Sequence, residues 1–285
     1  MKPDGRFLKQ PKSFWANVRT ISQHLGYVVR KTQQIKVYTI EDMRRALTEL
    51  ELNPDAVGTP KKPTKLGGML NDYFQLRSDL IHGEVEPNLM EAAEAKKMFE
   101  RLRKKLEPTC PLPMNKQKGK KKAPAYLTGM VNMLISDNAE GMGCDYDPHE
   151  LTTVTRDGAP LRTLARRVDG AFPSAVNPVA VWEIKEYYYT TTFGSRVADG
   201  VYESLLDGLE LEELREEEGI DVKHYLMIDA RYTWWDCGRS YLCRIVDMLH
   251  MGYVDEVLVG KEVAARLPAL VADWVKEAKR RSLDK

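Results

Sequence analysis

The chain has 285 residues, 43% of them hydrophobic and 30% charged, an ordinary globular composition that is long for one domain and comfortable for two. Its 43 Lys and Arg nearly balance 42 Asp and Glu, so the net charge of +1 says nothing of partners until its distribution is read. The longest apolar stretches, such as AVW at 180–182 and YLMI at 225–228, fall far short of the roughly 20 residues that span a bilayer, which excludes a membrane-spanning helix. The polar start MKPDGRFLKQPK has no apolar signal core, and the cytoplasm is the expected location. Cys110, Cys144, Cys237 and Cys243 lack CxxC spacing and nearby paired histidines, a pattern that predicts reduced thiols rather than a zinc site.

Taken in chain order, the first elements are helical. SFWANVRTISQHLGY places Phe14, Val18, Ile21 and Leu25 on one helix face. TIEDMRRALTELEL has Thr39 as its expected N-cap, with Ile40, Met43, Leu47 and Leu50 along one side. KLGGMLNDYFQLRSDLIHG and NLMEAAEAKKMFERLRKKLE add two more helices, and IKVYT at 35–39 reads as a short strand. Residues 1–107 are therefore an expected helical module. PTCPLPMNKQKGKKKAP, residues 108–124, has four prolines and five lysines and reads as a linker, either solvated or tracking a phosphate backbone.

After the linker the periodicity changes. AYLTGMVNMLIS is an amphipathic helix, LTTVTRDGAPLRTLARRVDGAF alternates like a hairpin around Asp157-Gly158, and VAVWEIKEYYY is a strand with a buried first half. Helix, strand, helix and strand follow over residues 195–260. This order predicts a mixed α/β fold for 125–285, a central mixed β-sheet flanked by helices. Asp169 ends one strand, while Glu183 and Lys185 share a face of the next, with Trp182 and Ile184 pointing the other way. Two close carboxylates repel unless a cation sits between them, and Mg²⁺ fits, with the Ile184 carbonyl as a further oxygen ligand. Lys185 beside such an ion would orient or help deprotonate a water, or stabilise charge at phosphorus, which suggests phosphodiester hydrolysis.

Asp169, thirteen intervening residues and then Glu183-Ile184-Lys185 at the end of an apolar strand resemble the PD-(D/E)XK nuclease superfamily, which includes the type II restriction endonucleases. The resemblance covers about residues 124–262. It implies a restriction-endonuclease-like core in which Asp169 and Glu183 hold Mg²⁺ and Lys185 assists the water. Val168 stands where the motif has proline, and Glu140 or Asp137, near the end of the first core helix, are the candidates for a further acid. Tyr187, Arg196 at the start of the next helix, and the linker lysines Lys120, Lys121 and Lys122 are expected to meet DNA phosphates, as are Arg30 and Lys31 in the N-terminal connection.

Upstream, Arg77 and His82 in LRSDLIHGEVEP resemble the R-x4-H element of HEPN domains, which implies an alternative RNase pair. Their structural reading is a salt-bridging arginine and a helix-end histidine. The favoured expectation is a Mg²⁺-dependent endonuclease of the type II restriction kind, acting on double-stranded DNA in prokaryotic defence. A homodimer would supply two active sites, and a cognate DNA methyltransferase acting on the same site is an expected partner. A nucleic-acid-binding protein that does not cleave is the third reading.

Overall fold

The computed structural model describes residues 1–115, 123–189 and 194–283, the side chains of 195 and 196 excepted. The N-terminal part opens with α1 (Gly5–Leu8), α2 (Lys12–Leu25) and α3 (Ile40–Glu49). Thr39 caps α3 as its sequence predicts, in a capping box closed by Asp42. A two-residue ladder, β1 (Gly58–Thr59) with β2 (Lys62–Pro63), leads into α4 (Lys65–Leu80), which Thr64 caps. Phe14, Val18 and Ile21 of α2 pack with Met43 and Leu47 of α3 and Tyr73 and Phe74 of α4 in one apolar cluster. The strand expected at 35–39 is only a single bridge, Val28 to Ile35, because no third segment pairs with it among the described residues.

The next helix, α5 (Ala92–Leu106), shifts the expected domain boundary at 107. Phe99 and Leu102 of α5 share a cluster with α6 (Tyr126–Asn138), and a Cβ at Gly129 of α6 would lie 2.5 Å from the Phe99 ring. Its apolar face thus belongs to the second unit, and the Pro/Lys-rich segment that begins after it is a connection within that unit.

Beyond α6 come a separate hairpin of β3 (Thr153–Arg156) and β4 (Ala159–Thr163), then β5 (Gly170–Phe172) and β6 (Ala180–Glu186). Asp157 and Gly158 both take positive φ, 52° and 79°, the conformation that a two-residue hairpin turn requires. The chain continues through α7 (Ser195–Glu218), β7 (Lys223–Asp229), α8 (Arg239–His250), β8 (Glu256–Val259) and α9 (Glu262–Leu283). The main sheet has the order β5-β6-β7-β8, with β5 antiparallel to β6 and the other pairs parallel. Trp182, Tyr225, Met227 and Leu258 face α6 and α9, while Leu226, Ile228, Val257 and Val259 face α8. The fold is therefore mixed α/β, a central sheet with helices on both faces, as its residue order predicts.

The helical part is locked to this sheet by one buried ion pair. Arg77 of α4 is fully buried and donates to Asp247 of α8 through Nη1, 3.1 and 3.2 Å from the two carboxylate oxygens. Tyr73 donates to the same carboxylate at 2.6 Å, and the guanidinium lies over Tyr27 and Phe74 at 5.2 and 5.0 Å. His82 is exposed, donates through Nδ1 to the Ser78 carbonyl at 2.8 Å and meets Trp235 edge-on. Arg77 and His82 therefore do not converge on a common point, which corrects the RNase pairing: the arginine is consumed in the core by Asp247. Arg77→Ala strands that buried carboxylate and is expected to cost roughly 3–5 kcal/mol, read as a fall in the urea midpoint.

Candidate active site

Alternation along β6 separates two chemistries. Trp182 stacks on Trp274 at 5.5 Å and Ile184 packs with the same cluster, so Glu183, Lys185 and Tyr187 face α7. Gly170 makes this geometry accessible, since a Cβ there would sit 2.2 Å from the Trp182 indole. β5 can then run close beside β6, and Asp169, the residue before it, arrives at the mouth of the strand pair. The Asp169 N–H donates to the Trp182 carbonyl at 3.1 Å and to Glu183 Oε1 at 3.2 Å, while the Ile184 N–H donates to Asp169 Oδ2 at 2.8 Å. The Ile184 carbonyl lies on the same edge of β6 as its N–H, the edge that Asp169 approaches. Val168, in the place of a proline, is buried in a small cluster with Leu211 and Leu214 of α7.

Glu183 is fully buried, and its charge is met by two cations. Lys185 Nζ is 2.7 Å from Glu183 Oε2 and 2.9 Å from Glu203 Oε2 of α7. Arg166 Nη1 is 2.8 Å from Glu183 Oε1 and 2.6 Å from Asp207 Oδ2, with Nη2 3.4 Å from Glu203. α7 can lie this close because residue 200 is glycine: a Cβ there would come within 3.0 Å of Lys185 Cδ and of the Tyr187 hydroxyl.

Burial and the Glu183 charge push Asp169 up to about 6 and Asp207 up to about 7. Burial also acts to raise Glu183, but Lys185 and Arg166 outweigh it and hold the group below its ordinary value. Lys185 is pushed up: burial disfavours its ammonium, yet the charges of Glu183 and Asp169 prevail. Lys185 is thus a cation and a hydrogen-bond donor in this setting.

The carboxylates suit a hard cation, since Asp207 Oδ1 is buried without a hydrogen-bond partner among the described residues. Asp169 and Glu183, with the Ile184 carbonyl, are the groups expected to hold Mg²⁺. As they stand, the described residues contain no cluster of three or more His, Cys, Asp or Glu arranged around an ion, and Arg166 and Lys185 lie between the carboxylates instead.

Other expected site residues fall elsewhere. Glu140 sits just past α6, exposed, in a left-handed turn at φ 51°, with Oε2 2.5 Å from Lys279 Nζ of α9. It is not the additional acid of the site, because α6 covers the Trp182 face of the sheet and not the Glu183 face; the same helix carries Asp137. Tyr187 packs its ring 5.7 Å from Trp234. Arg30 and Lys31 are exposed in the turn between Val28 and Ile35. Arg196 lies in the first turn of α7. Lys120, Lys121 and Lys122 lie outside the described residues.

Sequence reasoning missed Arg166, Glu203 and Asp207. A signal existed: Glu203, Asp207 and Glu210 recur at spacings of four and three, one face of the helix that follows the strand. Glu210 accepts from the Ala165 N–H at 3.0 Å, so that face runs along the segment leading to Asp169.

A family model described as "Domain of unknown function (DUF7687)" matches residues 90–274, and one described as "Domain of unknown function (DUF7690)" matches residues 1–84. No curated protein and no solved structure matches the chain.

Carboxyls raised in the folded state hold protons that the unfolded chain has lost, so they lower stability as pH rises from about 4 through about 7. Asp169 and Asp207 act in this sense, as do Glu186 and Asp229, both pushed to about 7 by burial. Glu183 acts oppositely, and its contribution is lost only below its ordinary carboxylate range. Without divalent cations, the urea midpoint is expected to be lower at pH 8 than at pH 5.5, and Asp207→Asn to shrink that difference. An undiminished difference in the variant would count against Asp207 as a source.

Proposed function

The chain belongs to the DUF7687 family, and from its site we propose that it is a Mg²⁺-dependent endonuclease hydrolysing phosphodiester bonds in double-stranded DNA. The observation that carries this reading is the convergence of Asp169, Glu183 and Lys185, with two carboxylates linked through the Asp169 and Ile184 amides and a buried ammonium 2.7 Å from one of them. The resemblance to PD-(D/E)XK nucleases, read from the same three residues, supports the same chemistry.

Asp169, Glu183 and the Ile184 carbonyl would hold Mg²⁺, which when bound lowers the pKa of a coordinated water and withdraws charge from the phosphate. Lys185 does the rest of the electrostatic work as a donor. Its ammonium remains protonated at neutral pH, so it orients a water and stabilises the charge that grows on the non-bridging phosphate oxygens, and it does not serve as the base. The β5–β6 amides fix Asp169, and Lys185 holds Glu183 from the same face of the strand.

The type II restriction reading, with a homodimer cutting both strands and a cognate methyltransferase protecting the same site, rests on the resemblance. Exposed Arg30 and Lys31 in the N-terminal part, and Arg196 in the first turn of α7, are the groups we assign to the DNA backbone. The HEPN-type RNase reading loses support from the burial of Arg77 against Asp247.

Wild-type protein with Mg²⁺ is expected to convert plasmid and phage DNA to discrete fragments, and EDTA to abolish the conversion. Glu183→Gln and Lys185→Ala should each slow cleavage by about 10²-fold or more. Equal inertness of all three proteins on duplex DNA, with Mg²⁺ or Mn²⁺, would overturn the reading and leave a nucleic-acid-binding protein. Cleavage of RNA that Arg77→Lys abolishes and Lys185→Ala spares would instead restore the RNase.

A further inference from the structure

Resting on that reading, we propose that α7 builds a second divalent-cation position beside the one at Asp169, bounded by Glu183, Glu203 and Asp207, and that Arg166 is the side chain the ion displaces. The guanidinium marks the place: it lies 2.6 Å from Asp207, 2.8 Å from Glu183 and 3.4 Å from Glu203, three carboxylates from two different elements that converge on one cation. A helix and a strand bring these acids together only because Gly200 lets α7 close on β6.

Two observations separate this position from an ordinary buried ion pair. First, Arg166 does not satisfy its partners. Asp207 is fully buried and its Oδ2 is held by Arg166, yet its Oδ1 has no hydrogen-bond partner among the described residues. Unpaired buried carboxylate oxygens are costly, and an oxygen-seeking divalent ion uses such an atom directly. Second, the acids outnumber the bases: the four carboxyl groups of Asp169, Glu183, Glu203 and Asp207 face only the two basic side chains of Lys185 and Arg166.

Arg166 is placed to leave. It stands on the connection between β4 and β5, three residues before Asp169, and its side chain is 24% exposed, whereas Glu183 and Asp207 are fully buried. Released from the carboxylates, its guanidinium stays beside the same mouth as Asp169. There it is a phosphate-binding group of the right charge and planar shape.

The test is Mn²⁺ binding by the full chain, followed by calorimetry and by the electron paramagnetic resonance signal of free Mn²⁺, with no nucleic acid present. Wild type is expected to bind two ions. Asp207→Asn, nearly isosteric, and Glu203→Gln, on a half-exposed residue that tolerates exchange, should each weaken one of the two by at least tenfold and leave the other within a few-fold. Arg166→Ala removes the competing cation and should tighten the same ion. Thermal melts of each variant check that folding is retained.

Two ions with unchanged affinities in both α7 variants, or a single ion whose affinity they do not alter, would overturn the second position while leaving the nuclease reading intact. Weaker binding in a folded Arg166→Ala protein would overturn displacement, showing that the arginine props the carboxylates. Absence of any Mn²⁺ binding by wild type would overturn the metal-dependent reading itself.

Discussion

A fully buried carboxylate at Glu183 is the constraint around which the second unit is organised. An ionised carboxyl withdrawn from water costs several kcal/mol unless cations and donors surround it, so the residues beside it are not free to vary independently. Lys185 supplies one cation from the same strand face, Arg166 another from the β4–β5 connection, and the Asp169 amide a hydrogen bond. Each of these needs a close approach elsewhere: Gly170 against Trp182 brings in Asp169, and Gly200 against Lys185 brings in α7. The Trp182–Trp274 stack on the opposite face is the apolar counterweight that fixes the register of β6.

The same physics joins the two parts of the chain. Arg77 and Asp247 form a buried pair with Tyr73, and the flanking cluster mixes Tyr27, Ile81 and Val85 from the N-terminal part with Leu242, Val246 and Leu249 of α8. The helical part is thereby seated on the α8 side of the sheet. α7, which holds Glu203 and Asp207, lies on that same face and contributes Val197 and Val201 to the same cluster. The turn carrying Arg30 and Lys31 is anchored to this body through Tyr27 and Ile35 of the same cluster, and a close-packed interior of low compressibility transmits strain across it.

Carboxylates in this molecule divide by what surrounds them. Glu186 and Asp229 end the adjacent parallel strands β6 and β7 and accept backbone amides: Glu186 from Tyr126 and Thr128 at the start of α6, Asp229 from Met90 and Ala230. Glu186 thus satisfies the first amides of α6, and Asp229 ties the segment before α5 to the end of β7. Asp169, Glu183 and Asp207 instead lie with the basic side chains of Lys185 and Arg166 where β6 packs against α7, and those two cations offset the repulsion among the carboxylates.

The primary structure by itself determined the elements and one face of the site. Alternation in VAVWEIKE separates Trp182 and Ile184 from Glu183 and Lys185, Asp157-Gly158 specifies the hairpin turn, Thr39 and Asp42 start a helix, and all of these are local rules of period and cap. Tertiary structure decided the rest, because side chains distant in sequence meet only through packing. It turned Arg77 into a core cation rather than a partner of His82, and assigned α5 to the sheet unit through Phe99. It left Glu140 with Lys279 on the wrong face and brought Arg166, Glu203 and Asp207 to Glu183. Which helix covers which face of a sheet depends on the fit of whole apolar surfaces, and no spacing within a single segment encodes it.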